Sequence, residues 1–171
     1  MMDIWHAPCP LKIKHFLWLA DRDRIQSVFQ LRKEVGGGGG ALIFFFCILC
    51  GQIEDARHII FDCPIAIFMW CVCKLAFCWN TRPNSFEHFY QLCIRRAGNR
   101  NSRWGTTLLA AVSWSLWNTR NDMIFRNKIV SSPVTIIFRI ICLLRNWRTL
   151  LKSKEEAMMD QAIEKLQDSV S

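Results

Sequence analysis

The chain has 171 residues and a mass of 20.0 kDa, room for one ordinary domain and too little for a multidomain enzyme. Apolar residues make up 51%, charged residues 21%, and mean hydropathy is +0.13, which excludes a disordered-chain composition. The net charge is +8, and the longest apolar run, Ala41 to Cys50, has ten residues, about half of what a bilayer span needs.

Trp5 to Pro10 is proline-rich and expected to be extended, because a residue before proline is pushed out of the α region. From Lys12 the apolar positions Ile13, Phe16, Leu17 and Ala20 follow helical spacing until Asp21–Asp23. A second short helix is expected through Ile25, Val28, Phe29 and Leu31. The run Gly36–Gly40 supports neither helix nor strand and reads as a flexible tether; no Lys-Ser/Thr follows it, as a phosphate loop requires. Ile43–Cys47 is expected as a short strand.

Pro64 suits the first turn of a helix carrying Ile65, Phe68, Met69, Val72, Leu75, Ala76 and Trp79. That helix is apolar almost all round and is expected to be buried. Residues 80–103 are polar and expected as a basic linker, a loop with a short helix around Phe86–Ile94. Leu109, Val112, Leu116 and Met123 predict one face of a helix over about 105–126, with Trp114 and Trp117 beside it. Ser131 or Ser132 before Pro133 starts a long amphipathic helix through Ile136, Ile140, Leu143, Leu144, Trp147 and Leu151. Ser153 and Glu156 have capping-box spacing, so a kink or new helix continues through Met159, Ile163 and Leu166. The expected fold is mainly α: a small zinc-stabilised helical domain with a Cys-Cys turn, followed by amphipathic helices.

The zinc expectation rests on Cys47-x2-Cys50-x7-His58-x4-Cys63. Two cysteines separated by two residues can hold one ion from a tight turn, and a later His and Cys complete a tetrahedron. Gly51 supplies the backbone freedom of that turn. His58 and Cys63 are five apart, about 140° round an ideal α-helix, so they converge on one ion only across a chain break, which Pro64 provides. Four protein donors leave no open position, so the site is expected to be structural. The competing reading treats these thiols as small buried apolar side chains. Cys71, Cys73 and Cys78 are expected as core thiols, Cys71 being the alternative to Cys63, and Cys9, Cys93 and Cys142 have no assignable partner. Glu54 and Asp55 are expected to cap the turn carrying His58.

Taken in order, Trp5, Pro10, Lys12, Phe16, Trp18, Arg24-Ile25, Leu31-Arg32, Cys47, Cys50, Glu54, His58, Cys63-Pro64 and Trp70 resemble the zinc-binding domain that follows the reverse transcriptase in plant LINE-type, non-LTR retroelements. The resemblance covers roughly residues 4–79. Downstream, Trp114-x2-Trp117-x2-Arg120-Asn121-x3-Phe125 is similar to the segment after that domain, which often leads to an RNase H-like domain. The chain departs from the family at Gly36–Gly40 and Phe44–Phe46, where the family has a short loop. It also has no Asp-Asp pair to hold the two metal ions of nucleotidyl transfer. The resemblance implies a zinc-binding domain at 4–79, detached from its polymerase, with a helical C-terminal region at 104–171.

Charge suggests the partner. Residues 81–152 hold 12 Lys/Arg against 2 Asp/Glu, whereas 1–80 hold 8 against 7 and 153–171 hold 2 against 5. Such a basic stretch fits RNA or DNA, with Lys12, Lys14, Arg22, Arg24, Arg57, Arg95, Arg96, Arg100 and Arg103 as candidate phosphate contacts. A protein-interaction module, with a reverse transcriptase domain in trans as partner, is the alternative. His15 and His88 lack a nucleophile and acid in recognisable spacing, so neither catalysis nor a small-molecule substrate is expected. The recurring Arg139, Arg145 and Arg148 leave no clean polar face for a membrane. No basic segment followed by an apolar stretch opens the chain, so a nuclear or cytoplasmic protein with reduced thiols is expected.

Overall fold

The structure, a computed structural model, describes residues 4–26, 46–97 and 103–170, the side chains of 94–97 excepted. The expected helix through Val28, Phe29 and Leu31, the Gly36–Gly40 run, most of the Ile43–Cys47 strand and Arg100 lie outside them. The described residues are mainly helical, as expected. Their only strand-like pairing is a single antiparallel bridge between Phe46 and Ile53.

Ile4–His6 forms a short 3-10 turn where extended chain was expected. Pro8 and Pro10 constrain only the residues just before them, so Ala7 N–H is free to bond the Ile4 carbonyl at 3.1 Å. Helix α1, Leu11–Asp21, buries Ile13, Phe16, Leu17 and Ala20, the positions its periodicity marks. Helix α2, Pro64–Ala76, opens with proline in its first turn as expected. It ends before Trp79, because Cys78 adopts a left-handed φ of 50°. Nor is α2 wholly buried: Phe68 is 39% and Leu75 is 71% exposed.

Helix α3, Phe86–Ala97, is the short helix expected around Phe86–Ile94 within the basic 80–103 segment, and its Phe89 is fully buried. Helix α4, Arg103–Arg126, is the central element: α1, α2, α3, α5 and α6 all pack against it. Leu109, Val112, Leu116 and Met123 are buried as expected, but so are Thr106, Thr107, Ala110, Ala111, Ser113 and Ser115. Small side chains let neighbours approach α4 from several sides. Two of the threonine hydroxyls are satisfied within the helix, Thr107 Oγ1 donating to the Arg103 carbonyl and Thr119 Oγ1 to that of Ser115, each at 2.8 Å. Ser113 and Ser115 Oγ, by contrast, are buried without a hydrogen-bond partner among the described residues.

Helix α5, Val134–Arg148, starts where Ser132 and Pro133 predict, with Val134 N–H bonded to Ser132 Oγ at 3.3 Å. Helix α6, Ser153–Asp168, is capped one residue earlier than its spacing suggests: Glu155 accepts from Lys152 N–H at 3.4 Å. One apolar cluster runs from Ile4 to Leu166. Among the described residues no helix is long and apolar enough to cross a membrane.

Candidate metal centre

The Cys-Cys turn is built by backbone first. Gly51 has φ of 69°, a conformation that glycine adopts without a Cβ penalty. Its N–H bonds the Cys47 carbonyl at 2.8 Å, while Cys47 N–H bonds the Gln52 carbonyl at 2.7 Å. The turn is closed beyond these bonds by the Phe46–Ile53 bridge. The third and fourth donors arrive differently from expectation. His58–Asp62 is a π-helical turn, closed by Cys63 N–H donating to the His58 carbonyl at 2.7 Å. A turn with this five-residue closure is wider than an α turn, so it brings residues five apart towards the same side. Cys63 is extended (ψ 142°) and opens α2, which is the chain break Pro64 predicted.

The result is a closed cluster. One donor atom from each of Cys47, Cys50, His58 and Cys63 lies within 4.8 Å of the others. Cys47 Sγ is 3.7 Å from Cys63 Sγ, and Cys50 Sγ is 3.4 Å from His58 Nε2. Zinc–sulfur bonds of about 2.3 Å at tetrahedral angles put sulfurs about 3.8 Å apart, so the donor set fits one structural zinc ion. Cys47, His58 and Cys63 are buried, and Cys50 is half-buried.

Cys47 is the favoured thiolate of the set. The hydrogen bond from Cys63 holds its pKa down to about 3, against the opposing effect of burial. The same contact, with burial, pushes Cys63 up. His58 is raised chiefly by its hydrogen bond to Cys47, which favours the imidazolium beside a thiolate. Zinc replaces those shared protons, so binding it releases them. Asp55 caps the turn as expected, its Oδ1 accepting from His58 N–H at 2.6 Å.

The remaining thiols divide by burial. Cys71 is no part of the cluster, and of the three expected core thiols only Cys73 is buried; Cys71 is half-buried and Cys78 exposed. Burial pushes Cys73 and Cys93 to about 12 and Cys9 to about 11. In the zinc-loaded protein, brief iodoacetamide treatment and peptide mapping should therefore modify Cys78 and Cys142 first. Chelation should add Cys47, Cys50 and Cys63, leaving Cys9, Cys73 and Cys93 protected. Equal labelling of all nine before chelation contradicts the assignment.

The expectation for Glu54 is corrected. Its carboxylate does not cap a turn but is 1% exposed and accepts from Arg120 of α4, whose Nε is 3.0 Å away and whose Nη2 donates to the same oxygen. Arg120 also donates to Asn121 Oδ1 at 2.9 Å and lies over the Trp117 ring at 5.3 Å. Arg120 was legible as part of the Trp-rich motif, but nothing in its surroundings names Glu54 as its partner.

The candidate phosphate contacts are dispersed. Lys12 and Lys14 lie on α1, with Arg22 and Arg24 just beyond it. Lys12 Nζ is 5.7 Å from the Trp114 ring centre, and Lys14 Nζ donates to the Trp5 carbonyl at 2.9 Å. Arg57, beside the zinc site, pairs with Asp62 at 3.1 Å, and Arg103 with Glu155 of α6 at 3.5 Å. Arg95 and Arg96 fall on α3, with side chains outside the described residues.

Residues 1–70 match the family model described as zinc-binding in reverse transcriptase. No curated protein and no solved structure shows significant similarity to the chain. The matched span takes in all four donors and ends at Trp70, whose indole is fully buried and donates to the Ile60 carbonyl at 2.7 Å. Trp70 stacks on Phe61 and meets Phe89, with ring centres 5.7 and 5.6 Å apart, joining the zinc-binding segment to α2 and α3. The match supports a zinc-binding module.

Proposed function

We propose that the chain is a non-catalytic, zinc-stabilised module that contacts RNA or DNA and descends from a plant LINE-type retroelement polyprotein, apart from its polymerase. The observation that carries this reading is the exposed side of α1. Leu11, His15, Trp18 and Arg22 share one helical face. His15 stacks on Trp18 at 6.1 Å, and the Arg22 guanidinium lies 4.5 Å from the Trp18 ring centre. Aromatic rings interleaved with Lys12, Lys14, Arg22 and Arg24 can stack bases and neutralise phosphates together. The zinc site holds α1 in place through the turn that follows the Cys pair, where Ala56 N–H donates to Asp23 Oδ1 at 3.0 Å.

The test is fluorescence anisotropy of labelled ten-nucleotide RNA and DNA against salt. Affinity should fall as salt rises, and Lys12→Gln with Arg22→Gln should flatten the log–log slope by about 1.4, at about 0.7 per lost phosphate contact on a single strand. Absence of binding at low salt removes the reading. Four protein donors leave the ion no open position for a substrate, which supports a structural module, and reduced zinc thiolates suit the nucleus or cytoplasm.

One observation favours a protein partner instead. Phe46, Ile48, Leu49 and Ile53 flank the metal turn, each at least 45% exposed. An apolar edge of this kind fits a reverse transcriptase domain in trans. Co-elution with such a domain, lost on Ile48→Asp, would favour that reading.

A further inference from the structure

Helices α4 and α5 flank an open polar cleft of about 390 Å³, lined by Asn118, Asn121, Asp122, Phe125 and Arg126 of α4 and by Arg139 of α5. From its lining we infer that this cleft holds one nucleotide of a single strand, phosphate on the two arginines and base against Phe125; the inference rests on the nucleic-acid reading above.

Its walls are rich in donors. Asp122 pairs with both Arg126, at 3.0 Å, and Arg139, at 3.4 Å, so one carboxylate is shared by two guanidinium groups and a net positive charge remains. Each guanidinium has five N–H groups, and these contacts, with the Arg139 bond to Thr119 at 3.3 Å, use only some of them. Asn121 spends its carbonyl on Arg120, which leaves its NH2 to donate. A donor-lined site selects an acceptor-rich ligand, and phosphate oxygens and pyrimidine carbonyls are such acceptors. Phe125, 70% exposed, offers a ring face for stacking. The volume is in the range of small-ligand sites.

The cleft also continues the α1 platform. Trp114, Asn118, Asn121 and Phe125 share one face of α4, and Trp114 is the ring beneath Lys12. From Trp114 to Phe125 is about 16 Å along the helix, a distance one extended strand can cover.

The experiment uses the zinc-loaded full chain and labelled U10 and dT10. Phe125→Ala should weaken binding by about fivefold to a hundredfold and Phe125→Trp should restore it, at unchanged melting temperature. Arg126→Gln with Arg139→Gln should lower the log–log salt slope by about 1.4. 5′-UMP should compete better than uridine, and inorganic phosphate should compete measurably. If the α1 variants lose affinity while all cleft variants bind as wild type, the cleft is excluded and the α1 reading stands. If wild type binds neither strand, both fall. If an acidic peptide competes where 5′-UMP does not, the cleft is a protein site and the inference is overturned.

Discussion

Cys50→Ser should abolish stoichiometric zinc: metal analysis of the purified wild type is expected to give one ion per chain, and of the variant none. Serine keeps the size of the side chain but supplies a poor zinc ligand, and the remaining three donors cannot close the tetrahedron. Structural zinc in small sites contributes on the order of 10 kcal/mol to folding of the segment it holds. The Cys-Cys turn at 46–53 is short, is closed by few backbone bonds, and carries exposed Phe46, Ile48, Leu49 and Ile53, so it has little apolar burial of its own. Hydrogen exchange should therefore show lost protection across residues 46–58, which carry three of the four donors. Helix α2, with α5 and α6, should stay protected, because α6 packs on α2 as well as on α5 and α4. A chelated protein with unchanged exchange at 46–58 would refute the structural role of the ion.

The second large effect concerns the Glu54–Arg120 pair. Both side chains are under 10% exposed, so removing either partner strands a desolvated charge. Glu54→Ala and Arg120→Ala are each expected to cost about 3–5 kcal/mol in urea unfolding of the zinc-loaded protein. The double variant Glu54→Leu with Arg120→Met should recover most of that, because an apolar pair of similar volume avoids the desolvation cost. The pair joins the turn carrying the zinc donors to α4, so the single variants should also bind zinc more weakly. Single-variant losses below about 1 kcal/mol would mean that the pair contributes no more than an exposed one.

Much of the fold was legible because the relevant rules act over a few residues. Helical spacing at Ile13, Phe16, Leu17 and Ala20 marked the buried face of α1, and Pro64 and Ser132 marked two helix starts. Errors arose where a neighbour outside the window decided the outcome. Leu75 and Phe68 look like core by type, yet among the described residues no element covers that side of α2. The threonines and serines of α4 look like a polar face, yet packing from several directions buries them. Cys78 belonged by periodicity to a buried helix, but the backbone leaves the helix before it.

The four donors were readable because metal chemistry restricts which residues can serve and at what spacing, and the turn glycine and helix-opening proline are local requirements of the same geometry. Which turn would carry His58 to Cys63 was not readable: a π turn and an α-helical break have the same sequence spacing. By itself, then, the amino-acid order determined a mainly helical protein, the metal ligands and most helix boundaries. Only tertiary structure decided that Glu54 meets Arg120 across 66 residues, that α4 is central, and that Asn118, Phe125 and Arg139 share a cleft. Such pairings obey no periodicity, because they depend on how whole helices dock and not on the conformation of any one of them.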